Sequence, residues 1–324
     1  MTGPVRDMIW KAGNEPRYER RLTRPAIYLL LATVVLLLGL NWPIMATGLK
    51  SITPIWLGVF RVAGAFLVIL FISASTGNIK LPPRRDLPII VSLAVFRLSL
   101  VFVLVFTALQ LVPAGRASVV VWTTSLWTVP IAAVWLGEKM SGRRWTGLVI
   151  GIVGVVLIAE PWGSDWSEPG VAGGHALLVL AAITLAATAV HIRAHRWTIT
   201  PLQAIPWQLA GAGLILIVTA LLVEGPPEID WTPQLAGIVA YQGMLATGVA
   251  FWATIVILRN LAAVSANLTL MAVPVVGVVS SAILLGEEVT TALILGMGMI
   301  LAGVALNLLS DSSEVAESPG PLAN

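Results

Sequence analysis

The sequence predicts an all-α integral membrane protein of ten transmembrane helices, arranged as two inverted five-helix repeats. Of the 324 residues, 57% are apolar and only 11% charged, with a mean hydropathy of +0.92, which leaves too little polar surface to cover a soluble globule of this size. Apolar runs follow one another along the chain, each close to the roughly twenty residues that a helix needs to cross a hydrocarbon core of about 30 Å. A stretch around residues 111–157 recurs, ungapped, 149 residues later.

The runs fall in order as follows. After a basic cytoplasmic tail (1–25), the first span (26–45) is too long for an ordinary signal sequence and is expected to be retained. The second (54–72) opens on Pro54 and ends in the breaker-rich GNIKLPPRRD; the third (88–109) opens on Pro88. The fourth (114–136) closes on Leu136-Gly137-Glu138, and the fifth (145–159) carries Gly147 and Gly154 at nine and sixteen positions past that glutamate. A linker (160–170), rich in Trp, Pro and acidic residues, separates the first repeat (26–159) from the second (171–309). The sixth, seventh and eighth spans (171–191, 202–223, 233–258) are divided by basic and then acidic loops, the latter reading EGPPEIDWTP. The ninth (262–285) closes on Leu285-Gly286-Glu287, and the tenth (289–309) repeats the glycine spacing with Gly296 and Gly303. Residues 310–324 are expected to be a disordered cytoplasmic tail.

Charge sets the orientation. Fifteen of the nineteen Lys and Arg residues lie on one side of the spans, in the first tail and in alternate loops, whereas the opposite side holds only Lys50 and Arg116. Both termini are therefore expected in the cytoplasm of a cell (inner or plasma) membrane protein, and the pI near 9.6 reflects orientation rather than a nucleic-acid partner. With five spans per half, the second copy sits upside down relative to the first. That arrangement is suited to alternating access, in which the two halves exchange conformations about a central site.

Ten spans in two halves, with Leu-Gly-Glu closing the fourth and ninth and glycines patterning the fifth and tenth, resemble the drug/metabolite transporter superfamily, EamA type. In the second half Glu288, Ala292 and Leu293 stand where the first has Lys139, Arg143 and Arg144, which fits a motif facing the opposite side. The resemblance implies a secondary transporter, an exporter or exchanger of small metabolites such as amino acids. It also implies a central cavity lined by most spans, with the fifth and tenth at the periphery. A membrane enzyme or a scaffold is the alternative. The residues argue against an enzyme, because His175, His191 and His195 lack a supporting acidic cluster and no phosphate loop is present. No cofactor or metal is called for; the expected partners are a small-molecule substrate and the lipid bilayer, with monomer or homodimer left open.

Candidate site residues come from the cost of polarity inside a bilayer. Arg97 stands nine residues after Pro88, roughly 14 Å along its helix and near the midplane. An arginine there costs about 2.5 to 3.5 kcal/mol unless it meets water, a partner or a ligand. It is expected to line the cavity and hold a carboxylate or other anionic group of the cargo. Arg61, seven residues after Pro54, is a shallower candidate able to snorkel outward. Asn41, Trp42, Trp122, Tyr241, Gln242 and Asn267 are candidates for the polar and aromatic walls. Gly137, Glu138, Gly147, Gly286, Glu287 and Gly296 form a structural motif, the glutamates accepting backbone N–H groups that open the next helix or pairing with nearby bases. The glycines are expected to mark close helix packing or a dimer face.

Overall fold

The computed structural model describes residues 23–137, 141–160, 170–227, 229, 231–260 and 269–317. Glu138, Asn267, most of the linker and much of both tails lie outside these residues. The described chain is helical: α1 (Arg24–Gly48), α2 (Pro54–Ser75), α3 (Leu87–Ala108), α4 (Ala114–Leu136), α5 (Gly142–Ala159), α6 (Val171–Ala194), α7 (Pro201–Val223), α8 (Pro233–Ile257), α9 (Ala272–Leu285) and α10 (Thr291–Glu317). Among the described residues the first eight are long and apolar enough to span a membrane, and α9 and α10 supply shorter apolar helices, in keeping with a ten-helix membrane protein. The α10 helix runs to Glu317, and past Gly303 no Gly or Pro interrupts the chain before Pro319.

Proline starts many of these helices, because its missing N–H is one that a first turn leaves unpaired anyway: Pro25, Pro54, Pro88, Pro201 and Pro233 all stand at N1 or N2. The Leu-Gly of the repeated motif is a stop signal. Gly137 and Gly286 cap α4 and α9 with φ of +70°, a left-handed conformation that glycine adopts without a Cβ penalty.

Exchanging the two halves maps the largest helix contacts onto one another. The α1–α9 contact corresponds to α6–α4, α2–α8 to α7–α3, and α1–α8 to α6–α3, while α2–α7, α4–α9 and α5–α10 are their own counterparts. Helix irregularities repeat too. A π-helical segment occupies Leu93–Leu100 in α3 and Tyr241–Val249 in α8, and in each a hydroxyl returns to the carbonyl five residues back. Ser99 donates to Ala94 at 2.8 Å and Thr247 to Gln242 at 2.8 Å. The α4 helix breaks at Thr123, and a turn at Met271 interrupts the helix at the matching place before α9.

The α5–α10 pair leans chiefly on α4, at the edge of the bundle. Its glycines face one another within a single chain, where a Cβ on Gly154 would stand 2.6 Å from the Gly296 carbonyl oxygen and one on Gly303 2.4 Å from that of Gly147. Exposed apolar side chains such as Phe71, Val134, Leu222 and Ile283 face outward, as lipid contact requires.

Carboxylates join the halves at both ends of the bundle. Glu287 accepts the backbone N–H groups of Ala114 at 2.7 Å and Gly115 at 2.8 Å, which open α4 in the other half, whereas the sequence pointed to the helix next in the chain. Glu224, at the end of α7, likewise takes the N–H groups of Ile55 and Trp56 and the hydroxyl of Thr53 at the start of α2. At the basic end, Asp86 is fully buried before α3 and accepts from His195 Nε2 at 2.9 Å and from the Thr198 N–H at 3.1 Å and its hydroxyl. Nearby, Ser92 meets His191 Nδ1 at 3.2 Å, and the His191 ring stacks on Trp135.

Burial pushes the Asp86 carboxyl up, but the hydrogen bonds from Thr198 and His195 together outweigh it and hold the group below the usual carboxylate range. Its contribution to stability is therefore full above the usual carboxylate value and is lost as pH falls through the lower, folded value. Asp86→Asn is expected to melt lower at neutral pH and to lack that acid-side loss. Parallel melting curves down to acid pH check this, and identical profiles for the two proteins would refute it.

Candidate functional site

The most polar ground inside the bundle lies where α1, α2, α3 and α8 meet. Arg61, on α2, is only 8% exposed, and its guanidinium is held from several sides. Nε donates to Thr247 Oγ1 in the α8 π segment at 2.8 Å, and Nη1 points at Met45 Sδ of α1 at 2.9 Å. The guanidinium carbon sits 4.8 Å from the ring centre of Phe102 and 5.9 Å from that of Phe106, both on α3. Arg61 can reach this place because α2 and α8 approach closely at Gly64 and Gly243, where a Cβ on Gly243 would lie 2.9 Å from the Arg61 carbonyl oxygen. It does not snorkel outward, as its depth in the sequence allowed; Thr247, Met45 and the two rings hold it inside.

Asn41 lies beside it, 4% exposed, its Nδ2 donating to the same Met45 sulfur at 3.2 Å and its Oδ1 without a partner. Gln242 is completely buried with neither amide atom paired, while its backbone carbonyl accepts from the Thr247 hydroxyl that holds Arg61. Tyr241 donates its hydroxyl to the Leu37 carbonyl at 2.8 Å and fastens α8 to α1. Unpaired amides at this depth are uncommon, because each buried polar atom without a partner costs about 1–3 kcal/mol.

The other candidates lie elsewhere. Arg97, in the α3 π segment, is partly buried and turns to α6, where Nη1 reaches the Thr188 hydroxyl at a long 3.4 Å. Trp42 is buried against Gly277 of α9. Trp122 lines a separate cleft with Ser125, Met271, Pro274 and Ile300. Asn267 lies outside the described residues. Thus the structure gathers Arg61, Asn41, Tyr241 and Gln242, and leaves Arg97, Trp42 and Trp122 on other interfaces. Met45, Thr247 and Phe102, which complete the Arg61 environment, carry no sequence signal beyond the spacing of Met45 four residues after Asn41. Among the described residues, no carboxylate pairs with either intramembrane arginine.

Comparison with known proteins agrees with this architecture. The EamA-like transporter family matches the chain twice, over residues 25–159 and 172–309. An uncharacterized transporter of Bacillus subtilis is 28% identical over 283 residues, covering 86% of this chain and 96% of the relative. A protein of Escherichia coli named "Probable amino-acid metabolite efflux pump" is 27% identical over 295 residues, covering 85% and 92%. A "Probable terminal-alkyne amino-acid exporter" of Streptantibioticus cattleyicolor is 29% identical over 289 residues, covering 87% and 92%. One solved crystal structure superposes with a TM-score of 0.62 at 19% identity, covering 91% of this chain and all of that one, and shares the fold. With matches over both halves, the chain belongs to the EamA-like transporter family and is a multi-pass membrane transporter.

Proposed function

We propose that this transporter is a secondary exporter or exchanger of small carboxylate-bearing metabolites of the amino-acid type, working by alternating access between its two inverted halves. The observation that carries the cargo class is the pair of intramembrane arginines with no carboxylate partner among the described residues. A cation kept in a bilayer without an acid calls for an anion that comes and goes. Two relatives named for amino-acid or amino-acid-metabolite export support the same class. The matched π segments and the matched breaks at Thr123 and Met271 support alternating access, because interrupted helices provide places to bend. The proposed orientation has both termini in the cytoplasm; a cysteine at Ser313 that labels from outside sealed cells would reverse it.

In this reading Arg97 offers its N–H groups to the anionic pole of the cargo in transit, since Thr188 engages them only weakly. Counterflow of each of the twenty L-amino acids in proteoliposomes tests the cargo class. Arg97→Gln is expected to lower apparent affinity about tenfold, the loss of a charge-assisted hydrogen bond, and Arg97→Lys to lose less without full recovery. Unchanged affinity in Arg97→Gln removes this arginine from the path, and absence of counterflow for every amino acid removes the cargo class.

A further inference from the structure

Two N–H donors from different helices converge on one sulfur atom. Arg61 Nη1 lies 2.9 Å and Asn41 Nδ2 3.2 Å from Met45 Sδ. A thioether is among the weakest acceptors in a protein, and a guanidinium in apolar surroundings gains most from a full negative charge. The arrangement is built, because Arg61 is 8% exposed and Asn41 4%, and the guanidinium is fixed from behind by Thr247 and the face of Phe102. The methionine is the adaptable member, with three rotatable side-chain bonds and no second tie. We propose that Arg61 and Asn41 form a carboxylate seat on which the Met45 thioether rests as a displaceable plug, and that a zwitterionic cargo drives the sulfur out and takes both donors.

Asn41 Oδ1, buried and unpartnered beside the seat, is a neutral acceptor suited to the ammonium end of the same cargo. The fully buried Gln242, whose backbone carbonyl accepts from the same Thr247 that holds Arg61, carries a further unpartnered acceptor, Oε1, and an unpartnered donor, Nε2, the latter beside Gly48 of α1. Donors for an anion and neutral acceptors for an amine stand close together, as an α-amino acid requires. This inference rests on the amino-acid reading given above, and it assigns the carboxylate a seat separate from Arg97. A small inorganic anion would satisfy the guanidinium by the same charge, so the test must separate the two sources.

The test is the melting temperature of the purified full-length protein in a buffer whose only anion is a bulky zwitterionic sulfonate, titrated with each of the twenty L-amino acids, with their methyl esters, and with chloride or sulfate as the inorganic anion. At least one amino acid is expected to raise the melting temperature while its ester, lacking the anion, does not. Arg61→Gln is expected to bind that amino acid about tenfold or more weakly. Met45→Leu keeps the volume but removes the acceptor, so the empty seat is worse satisfied and the amino acid binds more tightly. Stabilisation by chloride or sulfate alone, by the esters equally, or by no amino acid overturns the proposal. So does unchanged affinity in Met45→Leu, which remains decisive where Arg61→Gln fails to fold. Amino-acid counterflow by the native protein together with unchanged binding in these variants sinks the seat and leaves the exporter reading standing; loss of counterflow sinks that reading itself.

Discussion

Gly303→Ala and Gly154→Ala are each expected to lower the melting temperature of the detergent-solubilised protein, while Gly298→Ala on the same α10 helix is expected to leave it unchanged or slightly raised. The contrast follows from what a single methyl group meets. At Gly303 it would stand 2.4 Å from the Gly147 carbonyl oxygen and at Gly154 2.6 Å from that of Gly296, whereas at Gly298 nothing lies within 4 Å. The atoms in the way are backbone, so no rotamer change relieves them, and α5 and α10 must separate along their shared face. Overpacking of this kind costs about 1–3 kcal/mol, and helix separation forfeits neighbouring contacts in addition. Alanine otherwise stabilises a helix interior by about 1 kcal/mol relative to glycine, which sets the opposite sign expected at Gly298. Equal melting temperatures for all three variants would show that the glycine faces do not hold this pair together.

Glu287→Ala is expected to destabilise the protein by roughly 2 kcal/mol, and Glu287→Gln by less. The carboxylate spreads its two oxygens over the N–H groups of Ala114 and Gly115, at 2.7 and 2.8 Å, where the first turn of α4 has no helical acceptor. Alanine leaves both donors unpaired, whereas glutamine retains one oxygen for them. The clasp also explains Gly115, since a Cβ there would lie 2.9 Å from the carboxylate. Thermal melts of the two variants check the order. A Glu287→Gln variant that transports normally would show that this carboxylate carries no obligatory proton.

Much of this was legible in the sequence. Apolar runs, opening prolines and the Leu-Gly-Glu repeat indicated the helices and their duplication, because bilayer thickness and backbone geometry impose them locally. The glycine spacing indicated close packing, but not that the partner of each glycine stripe is the other stripe. The sequence does not disclose the target of Glu287, because the capped helix begins 173 residues away rather than just downstream. The seven residues between Pro54 and Arg61 suggest a shallow place for the arginine, but its burial depends on Thr247, 186 residues further on, and on the Gly64–Gly243 approach that brings α8 alongside. The place of Arg97 along its helix is plain in the sequence, yet that place does not determine which neighbour a side chain faces, and it faces Thr188 rather than the Arg61 cluster. The π segments have no periodicity in their residues that distinguishes them from the α-helix on either side.

Alternating access, the central claim, is tested most directly at the basic end of the bundle, where Ser92 of the first half lies 3.2 Å from His191 of the second. The native chain has no cysteine, so Ser92→Cys with His191→Cys introduces a single thiol pair. In proteoliposomes, a short cleavable dithiol-reactive bridge between these positions is expected to stop amino-acid counterflow, and its reduction to restore the rate measured before bridging. Undiminished counterflow with the bridge complete would contradict alternating access between the two halves.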